Sequence, residues 1–149
     1  MRRPTSADLG KLPLFGGLPE EALRAFAEQA EVLEVKDGAS VFRESEPARQ
    51  LFVLESGSLD VWKAKGSGEV LLSKVRPGEC FGEMSFIDMQ PRSASVRAAG
   101  PSVVWVWAYA ALHERYCKDS KCYTLLVMNM ARELSRRLRR ADDMLAAQR

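Results

Sequence analysis

Histidine, the commonest metal ligand and a frequent catalytic base, is nearly missing from the sequence. His113 is the only one in 149 residues. A small jelly-roll metalloenzyme needs two or three histidines with carboxylates at ligand spacing, and one histidine does not supply that set. No serine or cysteine stands out as a nucleophile paired with His113 and an orienting acid. We therefore predict a protein that is not an enzyme and has no metal site.

Cysteine is scarce, and long apolar runs and a strong net charge are missing. Cys80, Cys117 and Cys122 show no CxxC spacing, which favours three reduced thiols in a cytosolic protein. No apolar run approaches the ~20 residues of a membrane span, and no apolar signal region follows the two N-terminal arginines. The formal net charge is +2, so the composition gives no reason to expect nucleic acid or membrane binding. We expect a cytoplasmic protein.

The length and composition suit a single folded domain over residues 1–149. Hydrophobic residues make up 46% of the chain and charged residues 28%, the balance of an ordinary globular domain. We expect residues 1–11 to be flexible. Pro19 and the two acids after it begin a short amphipathic helix that ends near residue 30.

Short runs rich in valine, leucine and aromatic residues follow this helix, and glycines separate them. Many short strands with turn signals between them predict an antiparallel sandwich or barrel. The segment 64–69, AKGSGE, is the clearest hairpin loop. The predicted strands are 31–36, 40–42, 51–56, 58–63, 69–75, 93–98 and 102–108.

The last third of the sequence predicts two helices, a short one over 108–117 and a long one over 120–148. Six apolar residues of the long helix recur at alternating steps of four and three, which is a heptad pattern. The first half can pack on the domain's own sheet. The second half has four arginines around Leu138, so we predict a homodimer contact there. We call these six residues the heptad seam: Val127, Ala131, Leu134, Leu138, Ala141 and Leu145.

Between the strands ending near residue 81 and beginning near residue 93 lies FGEMSFIDMQPRSASV, which we call the cassette segment (residues 81–96). A glycine that permits close backbone approach precedes Glu83, and Arg92 follows nine residues later. Arg92 can bind a phosphate through two parallel hydrogen bonds, Glu83 can accept from hydroxyl groups, and a helix start offers unpaired N–H groups. These features suit a sugar phosphate. They also suit a crossover loop in which Glu83 and Arg92 pair with each other, the interpretation that spacing and chemistry alone slightly favour, and both stay open at this point.

The cassette segment resembles the phosphate-binding cassette of cyclic nucleotide-binding domains, in which G-E is followed by apolar residues and P-R-S/A-A. The nine-residue spacing resembles that of protein kinase regulatory subunits and bacterial cyclic-nucleotide-gated channels. LPLFGGLPEEAL, the glycine at 57 and RPGECFGE extend the resemblance over roughly residues 12–140. It implies a mainly β fold with flanking helices: an antiparallel β-roll or jelly roll with a short N-terminal helix, a cassette helix and a long C-terminal helix.

The resemblance also implies a ligand, cAMP or cGMP, and roles for particular residues. Glu83 would accept the ribose 2′-hydroxyl, and Arg92 would pair with the cyclic phosphate. Ser93 gives a weak indication that both adenine and guanine are tolerated. The implied ligand-binding residues are Phe81, Gly82, Glu83, Met84, Ser85, Arg92, Ser93 and Ala94.

Family members often cover the base with a side chain of the C-terminal helix. Met128 and Arg132 are our first candidates, with Met130 and Arg136 also within reach. The function that follows is a regulatory module without a cofactor, whose C-terminal helix passes a signal to an unknown effector protein or to a dimer. No helix-turn-helix follows the long helix, so we expect no DNA-binding domain. The alternative is a ligand-free scaffold of the same fold.

Overall fold

The computed structural model describes residues 2–149, apart from the side chains of residues 115–117. Cys117, one of the three predicted reduced thiols, lies outside the described side chains, and Cys80 and Cys122 are both buried. Helices precede and follow the β-domain in sequence, and one short helix lies within it. The helices are α1 (Ser6–Gly10), a 3₁₀ turn (Pro13–Phe15), α2 (Glu20–Gln29), α3 (Met84–Asp88), α4 (Tyr109–Lys118) and α5 (Ser120–Ala147).

Eight strands form two four-stranded sheets in which every pairing is antiparallel. The first sheet has the order β1-β8-β3-β6 and the second β2-β7-β4-β5. This architecture confirms the predicted β-roll with flanking helices and a long C-terminal helix. The strands are β1 (Glu31–Val35), β2 (Ser40–Phe42), β3 (Gln50–Ser56), β4 (Leu59–Lys65), β5 (Gly68–Val75), β6 (Cys80–Phe81), β7 (Ser95–Ala98) and β8 (Ser102–Ala108).

The central strands of the first sheet, β8 and β3, are buried on both faces, because they present alternate residues to two separate cores. Leu51 and Val53 of β3 join the core formed with the helices. Phe52 and Leu54, one position along, join the core between the two sheets. In β8, Trp107 packs on the helical side, where its indole nitrogen donates to the carbonyl of Phe26 at 2.8 Å.

The N-terminal segment, residues 1–11, contains a short helix that the sequence patterns did not predict. Ser6–Gly10 forms α1, and the Thr5 hydroxyl and Asp8 carboxylate cap its start reciprocally. Beside Arg2, with which it forms an ion pair, Asp8 has its pKa lowered to about 2. Leu9 is fully buried in the helical core, and this apolar contact holds the segment on the domain.

Helix α5 has two unequal parts. The Asp119 carboxylate caps its start by accepting from the backbone N–H of Cys122 at 3.2 Å. Cys122, Leu126 and Met130 are buried against the helical core. Every residue from Leu138 to Arg149 is exposed, so the second part of α5 extends beyond both cores.

Candidate ligand-binding site

The cassette segment interrupts the β-roll between β6 and β7, and Gly82 makes the bend possible. Gly82 has φ +81°, which favours glycine. A Cβ atom there would lie 3.0 Å from Arg92 Nη1 and 3.1 Å from a ring carbon of Phe52. The chain then turns into α3, which is anchored by Phe86 packed on the ring of Tyr109 at 5.1 Å.

Arg92 is buried, with 6% of its surface exposed, and its guanidinium group contacts carbonyl oxygens and aromatic rings. It donates from Nη2 to the Gln50 carbonyl at 2.8 Å and from Nη1 to the Gly82 carbonyl at 3.0 Å. The ring of Phe42 lies 4.1 Å from the guanidinium carbon. Its Nε is buried and has no hydrogen-bond partner among the residues that the structure describes. The site therefore keeps a buried cation.

Tyr109, the first residue of α4, holds this arrangement together and was not foreseen from the sequence. Its hydroxyl donates to the Gly82 carbonyl and accepts from Arg92 Nη1 at 3.3 Å. Burial raises the pKa of the Tyr109 hydroxyl, so the group remains a neutral donor. Tyr109 thus fixes Arg92 against the Gly82 bend.

Glu83 is more deeply buried than Arg92, at 1% exposure, and its partner comes from α5. Arg137 Nη1 lies 2.5 Å from Glu83 Oε1, and the same guanidinium donates to the Cys80 carbonyl. Burial raises the pKa of Glu83, an effect that the charge of Arg137 opposes. Of the two alternatives that spacing left open, the ion pair between Glu83 and Arg92 is not the one that forms: Glu83 pairs with Arg137, and Arg92 contacts carbonyls.

All eight residues implied by the family resemblance line one cavity of about 620 Å³, a size typical of small-molecule sites. Phe81, Glu83, Ser85, Arg92 and Ala94 are buried, whereas Met84 and Ser93 are exposed. The cavity wall also includes residues of β2, β4 and β5. The site therefore lies between the cassette segment, the second sheet and α5.

The α5 residues at the cavity are not those expected to cover a base. Met128, Met130, Arg132 and Arg136 do not line it; Met130 belongs to the helical core, and Arg132 donates to Asn129. The residues that do line it lie further along α5, from 137 to 148, and share a single helical face. They are Arg137, Arg140, Ala141, Met144, Leu145 and Gln148.

Arg92 differs from the other cations of the cavity wall in its partners. Each of the others forms an ion pair with a carboxylate, whereas Arg92 has none within 4.0 Å among the residues that the structure describes. One unneutralised buried positive charge suits a ligand carrying one negative charge. The three pairs are Lys74–Asp60 at 2.7 Å, Arg137–Glu83 at 2.5 Å and Arg140–Glu133 at 3.5 Å.

The described part of the chain has neither a cluster of metal ligands nor a helix that could span a membrane. There, no group of three or more histidine, cysteine or acidic residues is arranged to hold a metal ion. None of the helices described is both long and apolar enough to cross a membrane.

Sequence comparison decides the family to which this site belongs. Residues 32–118, more than half of the chain, match the family profile described as the cyclic nucleotide-binding domain. The chain belongs to that family. Domains of this family are regulatory and not catalytic. The matched residues include the whole cassette segment.

Individual proteins similar to this cyclic nucleotide-binding domain are longer than it. Acetyltransferase Pat of Mycolicibacterium smegmatis is 34% identical over 101 residues, 68% of this chain and 30% of that protein. The cyclic AMP receptor protein of Thermus thermophilus is 31% identical over 131 residues, 87% of this chain and 59% of that protein. The chain thus spans less than two thirds of these curated relatives.

Among solved structures, a cyclic nucleotide-binding domain from Methylobacillus flagellatus KT has the same fold. The TM-score is 0.85 at 26% identity, and the alignment covers 95% of this chain and 80% of that one. The agreement extends to nearly the full chain, including parts outside residues 32–118.

Proposed function

We propose that the cavity binds a cyclic nucleotide, cAMP or cGMP, and that this protein is a regulatory module and not an enzyme. The observation that carries the proposal is the buried, carboxylate-free Arg92 in the same cavity wall as the buried carboxylate of Glu83. A cyclic phosphate has one negative charge and two exocyclic oxygens, which match the guanidinium. The ribose supplies a hydroxyl for Glu83.

The remaining wall suits the base. Val61, Leu72, Met144 and Leu145 bring apolar surface from β4, β5 and α5 to the cavity, and a purine needs such surface on its faces. We propose that Met144 and Leu145, and not Met128 or Arg132, cover the base. A bound ligand would then contact the exposed part of α5 directly. A change in the position of this helix can transmit the signal to a partner.

Calorimetric titration with cAMP and cGMP tests the proposal, with 5′-AMP as the matched control ligand. We expect at least one cyclic nucleotide to bind with a dissociation constant in the micromolar range or below. The acyclic 5′-AMP should bind far more weakly, because its phosphate is larger and more highly charged than the single buried cation suits. If neither cyclic nucleotide binds, the alternative of a ligand-free scaffold replaces the sensor.

We also propose that α5 pairs with a second copy of the chain through the heptad seam. Leu138 is 63% exposed and Leu145 54% exposed, so the seam presents apolar side chains to solvent. Two seam residues, Ala141 and Leu145, also line the cavity, and a partner helix would therefore adjoin the ligand.

Sedimentation velocity tests the dimer. We expect the wild-type protein to sediment as a dimer at micromolar concentration and Leu138→Glu to sediment as a monomer, since a charge at a seam position is buried on pairing. Arg139→Glu, one residue away and off the seam, is the control and should remain dimeric. A monomeric wild type would contradict the pairing.

A further inference from the structure

Arg137 is the point at which α5 touches the polar part of the cavity. It lies at the start of the exposed part of the helix, with about a third of its side chain exposed. Its guanidinium contacts Glu83 at 2.5 Å, the Cys80 carbonyl of β6, and Glu133 on its own helix at 3.5 Å. One side chain of α5 is thus bonded to both the carboxylate and the backbone beside the cassette segment.

The ion pair with Arg137 involves one of the two carboxylate oxygens of Glu83. Arg137 donates to Oε1 of Glu83, whereas Oε2 accepts a weak hydrogen bond from the Cys80 thiol at 3.9 Å. A carboxylate offers about four acceptor positions, so a ligand hydroxyl can bind Oε2 without displacing Arg137. A neutral hydroxyl is also a weaker partner than a guanidinium. The ion pair and a bound ribose are therefore compatible.

We propose that Arg137 is a positioning residue for ribose recognition: it keeps Glu83 a carboxylate and orients it for the 2′-hydroxyl. This inference rests on the proposed function, because it concerns the same site. Arg137 belongs to α5, so recognition of the ribose and the position of α5 depend on each other. By thermodynamic reciprocity, a ligand with a 2′-hydroxyl holds the helix on the site more strongly than one without.

The charge on Glu83 needs this support because of its surroundings. Burial raises its pKa, the Arg137 charge lowers it, and Glu133 raises it further. Without the charge of Arg137, the pKa of Glu83 should rise further, because the burial that raises it is then less opposed. The charged and titratable groups near Glu83 are Cys80 of β6, Glu79 before β6, Arg92 of the cassette segment, Tyr109 of α4, and Glu133, Arg137 and Arg140 of α5.

The experiment compares the affinities of cAMP and 2′-deoxy-cAMP, or of the guanine pair if cGMP binds more tightly, between pH 6 and 9. In the wild-type protein we expect cAMP to bind roughly 10- to 100-fold more tightly than 2′-deoxy-cAMP at every pH. This ratio corresponds to the free energy of a hydrogen bond to a charged acceptor. In Arg137→Met we expect this preference to fall below about fivefold at pH 6.5 and to increase towards pH 9, as Glu83 deprotonates.

Two further variants make the result specific. Arg137→Lys keeps the charge and should keep a preference that does not change with pH. Arg136→Met removes the neighbouring arginine, which also pairs with Glu133 at 2.8 Å but does not line the cavity, and it should behave as the wild type. Thermal unfolding checks that each variant is folded. If Arg137→Met does not fold, the pH dependence of the 2′-hydroxyl preference is tested with Arg137→Lys.

The outcomes separate the two proposals. Absence of cyclic nucleotide binding to the wild-type protein removes the proposed function. Binding with an unchanged 2′-hydroxyl preference in Arg137→Met at every pH removes only the role of Arg137, and so does an equal loss in Arg136→Met or a pH-dependent preference in Arg137→Lys. Hydrogen exchange over residues 137–148 gives a second readout. In the wild type, cAMP should slow this exchange more than 2′-deoxy-cAMP does. In Arg137→Met, the two ligands should slow it equally.

Discussion

Replacing Arg92 with methionine is expected to lower the affinity for the bound cyclic nucleotide by at least about 30-fold, and by as much as several thousandfold. Truncating one partner of a buried, hydrogen-bonded charge pair costs roughly 2–5 kcal/mol of binding free energy. The guanidinium is the cavity cation without a carboxylate partner among the described residues. No neighbouring cation is therefore unneutralised and ready to replace it.

The same substitution should change the free energy of unfolding of the ligand-free protein by less than about 2 kcal/mol. Methionine retains the apolar part of the contact with Phe42 and removes a desolvated charge, while the Gln50 carbonyl loses its donor. The Gly82 carbonyl keeps the Tyr109 hydroxyl as a partner. A large loss of binding with a small change in stability is the pattern of a functional residue that the fold itself does not require.

Arg97→Met is the matched control for this experiment. Arg97 lies on β7, pairs with Glu69 at 2.9 Å and has its guanidinium 4.8 Å from the Trp62 ring, and it does not line the cavity. In calorimetric titration, Arg92→Met should therefore lose affinity for the cyclic nucleotide and Arg97→Met should not. In urea unfolding, the two variants should give similar results. An unchanged affinity in Arg92→Met, or an equal loss in Arg97→Met, would show that the cassette segment is not the binding site.

Gly57→Ala should destabilise the protein by about 4 kcal/mol or more, which is exceptional for a single added methyl group. Gly57 joins β3 to β4 with φ +98°. A Cβ atom there would lie 2.2 Å from Ser102 Oγ, 2.6 Å from the Pro101 carbonyl and 2.7 Å from Ser102 Cα. Two of these atoms are backbone at the start of β8, so no side-chain rotation relieves the overlap.

Gly38→Ala separates the two causes of this loss. Gly38 has a similar backbone, with φ +80°, but open space where its Cβ would be. Its cost should be that of the left-handed conformation alone, about 1–2 kcal/mol. Urea unfolding measures the loss of unfolding free energy in each variant. The difference between the two losses is the contribution of the close approach of the β3–β4 turn to β8. Equal losses would mean that the backbone at Pro101 shifts to make room.

The strands and the cassette residues were predictable because their signals are local. Alternation and bounding glycines locate strands such as β4, whereas the cassette segment was assigned by its resemblance to the cyclic nucleotide-binding cassette, since the Glu83-to-Arg92 spacing alone left a crossover loop open. The short helix α1 was not predicted because its local signal is weak. The capping pair Thr5 and Asp8 is visible in the sequence, but one buried leucine in a five-residue helix has no periodicity to reveal it.

The partner of Glu83 was not predictable because it depends on the rotation of α5 about its axis. Leu126 and Met130 pack into the helical core and set that rotation. Their packing directs Arg137, and not Arg132 or Arg136, towards the cavity. Four arginines crowd residues 136–140, and sequence spacing does not distinguish the one that reaches a particular carboxylate. Tyr109 was missed for the same reason: its hydroxyl meets Gly82 through packing between segments 27 residues apart.

The division of the cavity wall between the β-roll and the last part of α5 has an evolutionary consequence. Residues beyond 137 on α5 contribute to neither core, and substitutions there cost little folding free energy. Selection can therefore alter the base preference or the output of the module at Ala141, Met144, Leu145 and Gln148, while the Gly82 bend and Arg92 remain constrained. Diversification within such a lineage should accumulate along the helix, and the phosphate end of the cavity should change last.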